Sequence, residues 1–271
     1  MVTLEYKKPE NVDEFKRLIR ENKEKITTKG FESEFIKAYG INTDTILNNV
    51  NEKIWSPIKK ILANTDDLYQ KNNDLDLLAN IDKIHLEIKP IDSVINKAFR
   101  ISVRESKHNY GEKEYFNEFV TPENMYEKLN DIIRTEITVK YIDGIDLIID
   151  AISIFAKDNK YKIYIKNKSD EVGYYAKHVY LTFNSVIVDY DYKPKNEAIT
   201  FEIQIRTQLQ DTVRKILHKY YEKDRIKNVN SSKDSSWKWQ ISEPRFITNY
   251  VGHILHFLDG IIMRIKSEKE A

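Results

Sequence analysis

The chain contains no cysteine, which excludes disulfide staples and thiolate chemistry and suits a reducing compartment. No stretch approaches the roughly 18 consecutive apolar residues of a membrane span. The N-terminal residues MVTLEYKKPENVDEF lack the apolar centre of a secretory signal, so a soluble, cytoplasmic protein with no membrane partner is expected. Charge of one sign is missing too: Lys+Arg 44 against Asp+Glu 43 leaves a formal net charge of +1. Without a global field, any polyanion has to be met by a local patch. Glycine and proline are scarce, at seven and six residues, beside abundant Lys, Asn and Ile, a bias of base composition more than of function. No internal repeat is visible. What remains is 271 residues, enough for one or two domains with a sizeable core.

The stretch around which the chain is organised is AITFEIQIRTQLQDTVRKILHKYY, residues 198–221. Phe201, Ile203 and Ile205 alternate with Glu202, Gln204 and Arg206, the period-two signature of a strand, and an amphipathic helix follows directly. A surface strand satisfies the same pattern, but two further segments repeat it. Val179, Leu181 and Phe183 alternate with His178, Tyr180 and Thr182; Ile133, Ile137, Val139 and Tyr141 alternate with Arg134, Glu136, Thr138 and Lys140. Three such strands side by side make a sheet face lined with titratable groups, a plausible active-site floor.

In chain order, residues 12–26 and 43–71 have helical periodicity, the second interrupted near Pro57. Residues 81–89 alternate as a first strand, ended by Pro90. A helix over 91–107 aligns Ser93, Lys97, Arg100 and Arg104 at spacings of four, three and four, a cationic stripe able to grip a polyphosphate or simply to face solvent. Thr121 is the expected cap of the next helix, with Pro122 at its first position. A strand over 132–141, a helix over 143–159 and a strand over 161–168 follow. The loop SDEVGYYAKH then leads into strands 178–190 and 198–207, with YKPKNE as their hairpin connection. Helices over 209–224 and 243–265 close the chain. The order predicts an α+β fold with a mixed, mostly antiparallel sheet of about five strands flanked by helices.

Taken together these segments resemble the synthetase domain of the RelA/SpoT family, whose members transfer pyrophosphate from ATP to the 3′-hydroxyl of GDP or GTP. In EIKPIDSVINK, Lys89, Ser93 and Lys97 match the pattern Arg-x-Lys-x-x-x-Ser-x-x-x-Lys, while Glu87 stands where the arginine belongs. In DIIRTE, Asp131 matches Asp-x-x-Gly-x-Arg, while Arg134 replaces the glycine and Glu136 the arginine. GYYAKH carries Gly173, Tyr174 and His178 of the guanine loop; EIQIRT matches Glu-x-Gln-x-Arg-Thr; His218 and Tyr221 match His-x-x-Tyr. The resemblance covers the core, residues 79–226, behind a helical region over 1–78 and ahead of a linker and C-terminal helix over 227–271 that packs on the core. It implies a nucleotidyltransferase-like sheet.

The same resemblance implies roles. Asp131 and Glu202 would hold Mg²⁺, with Glu202 also accepting the proton of the attacking hydroxyl. Lys89, Ser93, Lys97, Arg100, Arg104 and Arg134 would surround the ATP phosphates. Tyr174, His178, Gln204, Arg206 and His218 would hold the acceptor, either GDP/GTP, giving a (p)ppGpp-type alarmone, or the 3′ end of tRNA, as in the toxin branch. The resemblance leaves room for a homo-oligomer and for an antitoxin partner. Hydrolase activity is not expected, since in this family it needs a separate His-Asp metal domain upstream, and the first 100 residues hold one histidine, His85. The two glutamates cut the other way. A wrong-signed charge beside a polyphosphate costs several kcal/mol unless something neutralises it, so Glu87 and Glu136 also fit a degenerate nucleotide-binding or regulatory module.

Overall fold

The structure, a computed structural model, describes residues 7–22, 26, 30–79, 84–106, 116–169, 173–189, 191–215 and 236–269. Helices α1 (Val12–Glu21), α2 (Ser33–Val50) and α3 (Ser56–Asn73) precede strand β1 (Glu87–Ile88) and helix α4 (Ile91–Phe99). Helix α5 (Met125–Lys128), β2 (Ile133–Val139), α6 (Asp143–Asp158), β3 (Lys162–Ser169), β4 (Tyr175–Val188) and β5 (Pro194–Thr207) follow. A helix, α7, begins at residue 208 and is described to 215, and α8 (Pro244–Lys269) ends the chain. The strands form one mixed five-stranded sheet in the order β1-β2-β5-β4-β3, the α+β architecture expected, with β2, β5 and β4 adjacent.

The chain groups into two compact units: Met1–Ile54 with Leu86–Arg134 and Thr182–Glu202, and Trp55–His85 with Thr135–Leu181 and Ile203–Ala271. In the first unit Asn11 caps α1 by accepting from the Glu14 backbone at 2.9 Å, and the apolar face of α1 sends Phe15 into a cluster of rings. Phe15 lies 5.7 Å from both Phe99 and Phe119, and Phe31 meets Phe35 edge-on at 5.2 Å. Such contacts add about 0.5–1.5 kcal/mol each to the area buried. In the second unit α6 buries Ile145, Ile148, Ile149, Ile152 and Phe155, the three-and-four spacing that makes one apolar stripe. Ile58 and Leu62 of α3 are likewise fully buried.

Several elements depart from the periodic reading for local reasons. The first strand is two residues long instead of nine. Residues 84–86 are outside it, and there the Thr135 hydroxyl donates to the His85 carbonyl at 2.8 Å. Residues 80–83 lie outside the described set. The interruption near Pro57 is a π-helical turn, Asn51–Trp55; proline has no N–H and its ring crowds the carbonyl four residues back. Thr121 is not a cap. The N-cap position is Asn124, whose side chain makes no cap hydrogen bond; it accepts instead from the Thr121 backbone at 2.9 Å and donates to the Phe119 carbonyl at 3.0 Å, and the helix starts at Met125. The β4–β5 connection is 189–193, shorter and earlier than YKPKNE. Asp189 closes it by accepting from the backbones of Asp191 and Lys193 at 2.8 and 2.9 Å, an Asx-type turn.

Candidate active site

In the first unit three of the expected phosphate and metal ligands meet. Lys89, just beyond β1, and Lys97 on α4 converge on Asp131 at the entrance to β2: each ammonium lies 2.6 Å from a different carboxylate oxygen. The Lys89 backbone donates to the Ile132 carbonyl at 2.9 Å, and its own carbonyl accepts from the Tyr39 hydroxyl at 2.6 Å. Burial raises the Asp131 carboxyl, but the two lysines outweigh it and hold the group below the ordinary aspartate value. For Lys89 burial wins over the attraction of Asp131, and its ammonium is easier to deprotonate than usual. The cluster is therefore a carboxylate between two cations, one of them already partly stripped of water. Glu202, of the same unit, is buried, 5% exposed.

The other cations expected here are differently engaged. Glu87 and Arg134 stand opposite each other in the β1–β2 register, and Arg134 reaches the Glu87 carboxylate through Nε at 3.0 Å and Nη2 at 2.9 Å. The arginine that replaces the family's glycine thus neutralises the glutamate that replaces its arginine. The stripe Ser93, Lys97, Arg100, Arg104 is broken by a second π-helical turn, Arg100–Arg104, closed by the Glu105 backbone donating to the Arg100 carbonyl at 3.0 Å. Nothing in its residues accounts for that turn. Past it, Arg100 pairs with Glu105 at 2.9 Å and the Arg104 guanidinium lies 5.0 Å from the Phe99 ring centre, a cation–π contact. Ser93 is exposed.

The second unit holds a separate polar cluster. Arg206 of β5 is 0% exposed: the strand's polar face is covered, not open. Its Nε donates to Asp211 at 3.0 Å, its Nη1 to Gln204 at 3.3 Å, and its Nη2 is in close contact with Glu136. Arg214 also donates to Glu136, at 2.6 Å, and Lys215 pairs with Asp211 at 2.6 Å. Burial alone would lower the Arg206 guanidinium, yet Glu136 and its neighbours leave it more basic than usual. Burial raises Asp211, and Lys215 with Arg206 reverses this to a net lowering. Asp211 and Arg214 were not among the residues singled out; their three-residue spacing directly after the strand was the available signal.

Tyr174 and His178 come together here, hydroxyl to Nε2 at 3.1 Å with rings edge-on. Tyr174 is half-buried, and burial raises its phenol. Gly173 has φ +73°, and an added Cβ would stand 2.3 Å from the Asn249 carbonyl oxygen, a backbone approach only glycine permits. The facing residue on α8 is Gly252, whose own Cβ would meet the Gly173 oxygen at 2.1 Å. The neighbouring Tyr175 stacks on His256 at 3.7 Å and its hydroxyl meets His253 at 2.8 Å. Gln210 donates to the Gly252 carbonyl at 2.9 Å and Thr207 to Asp259 at 2.6 Å. The loop glycine is thus explained by helix docking. His218 lies outside the described residues.

No family model matches the chain, and no curated protein matches it. Solved structures do. A GTP pyrophosphokinase family protein from Streptococcus pneumoniae superposes with a TM-score of 0.55 at 19% identity, over 85% of this chain and 93% of its own. The small alarmone synthetase 1 from Bacillus subtilis, bound to its product pppGpp, gives 0.52 at 16% identity over 84% and 98%. The chain has the small alarmone synthetase fold. That agrees with the order of motifs along the sequence. Among the described residues no helix is long and apolar enough to cross a membrane, and no three His, Cys, Asp or Glu side chains gather to hold a metal ion. Asp131 is a hard oxygen donor kept ionised, the kind Mg²⁺ takes, but both its oxygens are engaged by lysines.

Proposed function

We propose that the protein is an ATP-dependent pyrophosphokinase that moves the β,γ-pyrophosphate of ATP to the ribose 3′-hydroxyl of GDP or GTP. The observation that carries this reading is Asp131 held between Lys89 and Lys97, at 2.6 Å each, in a chain with the small alarmone synthetase fold. A carboxylate that parks two cations keeps them oriented without a substrate. An arriving polyphosphate offers more negative charge than one carboxylate, so the ammonium groups transfer to it and Asp131 is released. Mg²⁺ bound by Asp131 and Glu202 would neutralise phosphate oxygens as charge develops during in-line transfer. Glu202 is the group to accept the hydroxyl proton.

The glutamates at positions 87 and 136 do not argue against this reading, because each is paired with arginine. One observation favours a second acceptor, the 3′ end of tRNA. Arg206 is fully buried and its guanidinium faces Glu136, Asp211 and Gln204, so it does not reach out to grip a 5′-diphosphate. An acceptor recognised by its terminal ribose needs no such grip.

Both readings are tested by incubating the protein with Mg²⁺ and ATP labelled on the γ-phosphate, separately with GDP, GTP and bulk tRNA. Label on a guanine nucleotide supports the first acceptor and label on tRNA the second. Glu202→Gln should lower transfer by about 10²–10⁴-fold, the usual worth of a positioned base, with the fold intact by circular dichroism. No transfer to any acceptor by folded protein overturns the enzyme reading in favour of a nucleotide-binding module.

A further inference from the structure

A cavity of about 250 Å³ lies wholly within the first unit and includes none of the residues assigned above to transfer. Three of the side chains that line it are aromatic: Phe35 and Tyr39 on α2 and Tyr126 on α5. The Tyr126 hydroxyl is buried and has no hydrogen-bond partner, although the side chain is only 5% exposed. Asn42 is close enough to act on the phenol, but its amide is held by the Val188 backbone, at 2.8 and 2.7 Å, and makes no hydrogen bond of normal geometry to it. A buried hydroxyl left unpaired costs about 1–3 kcal/mol, and this one lines an open volume. Burial holds the phenol well above its usual value, so at neutral pH it is uncharged and can accept a hydrogen bond.

Among the described residues that line the cavity, acidic side chains outnumber basic ones three to one. Glu123, Asp189 and Asp191 line it against a single cation, Lys195, and that lysine pairs with Glu197 at 2.6 Å. A phosphate or carboxylate would be repelled; a cation would be drawn in and then held over tyrosine and phenylalanine faces, which attract positive charge. The volume is below that of a drug-sized pocket and suits a single ring. We propose that this cavity is a binding site for a small planar organic cation of the amidine or aromatic-amine type, its N–H donating to the Tyr126 hydroxyl. Tyr39 ties the same wall to the Lys89 carbonyl, so an occupant would rest against the support of the Lys89–Asp131 pair.

The test uses two probes of equal size and opposite charge. Benzamidine and benzoate are each titrated calorimetrically into the full chain. Benzamidine is expected to bind saturably with one site and benzoate not to bind. Tyr126→Phe, which keeps the volume and removes only the unpaired hydroxyl, should weaken benzamidine about five-fold, the worth of one hydrogen bond. Glu123→Gln should weaken it as well while leaving benzoate unbound. Absence of saturable benzamidine binding, equal binding of benzoate, or unchanged affinity in Tyr126→Phe would each overturn the proposal.

Discussion

Two polar clusters of this molecule use the same ingredients and differ in how firmly they hold them. In the first unit Lys89, Lys97 and Asp131 are 14%, 20% and 15% exposed at their side chains, joined by one carboxylate and able to exchange partners. In the second, Arg206 is 0% exposed and surrounded by Glu136, Asp211 and Gln204. A guanidinium buried this deeply is fixed by its fork of donors, whereas an ammonium is a point charge on a flexible stem. The difference teaches which cluster can meet a substrate's phosphates. On the proposed function the lysines are the cations to be recruited and the arginine is a strut.

The comparison breaks most readily at Arg206. Arg206→Met leaves the half-buried Glu136 with Arg214 alone and the buried Asp211 with Lys215 as its remaining close partner, and should cost about 3–5 kcal/mol of stability in urea unfolding, while Lys97→Met in the other cluster should cost far less. Equal losses would mean that the two clusters are not different in kind. Next in size is Gly252→Ala. Its Cβ would stand 2.1 Å from the Gly173 oxygen, so the loop bearing Tyr174 must move away from α8, lowering stability by about 1–3 kcal/mol; an unchanged melting temperature would remove helix docking as the reason for that glycine.

Acid sharpens the comparison from the other side. Asp131 and Asp211 have folded values below the ordinary one. Stability from them is therefore complete above the unfolded carboxyl value near about 4 and is lost as pH falls through the depressed folded values. Denaturation at pH 7 and pH 3 should show this loss, and Asp131→Asn should shrink it. The smallest effect is expected at Glu87→Arg. Its pair with Arg134 is 52% and 37% exposed, so stability should change by less than about 1 kcal/mol; a large loss would show the pair to be structural.

Much of the fold was readable from alternation and periodicity. Ile133, Ile137 and Val139 do lie on the buried face of β2, with Arg134, Glu136 and Thr138 opposite, because a strand's two faces are written directly into its residue order. What escaped were local contacts that periodicity does not record: the Thr135 hydroxyl on the His85 carbonyl, the π turn that breaks the stripe past Lys97, and the Asn124 side chain turned back to the Thr121 and Phe119 backbone, with the helix starting after it. At the site, Lys89, Lys97 and Asp131 were named from motif spacing and the structure brings them together. The burial of Arg206 was not legible, since Glu136 comes from a strand 70 residues earlier in the chain and only tertiary structure sets it against β5. The neutralisation of Glu87 needed the strand register, which pairs it with Arg134.

The central claim is that a pyrophosphoryl group, and not a single phosphate, leaves ATP. It is tested most directly with ATP labelled on the β-phosphate, incubated with Mg²⁺, the protein and whichever acceptor takes up γ-label. Transfer of pyrophosphate predicts that the β-label moves to the acceptor and unlabelled AMP is released, with Glu202→Gln inactive. Label that stays in ADP while the acceptor gains only γ-phosphate would contradict the account.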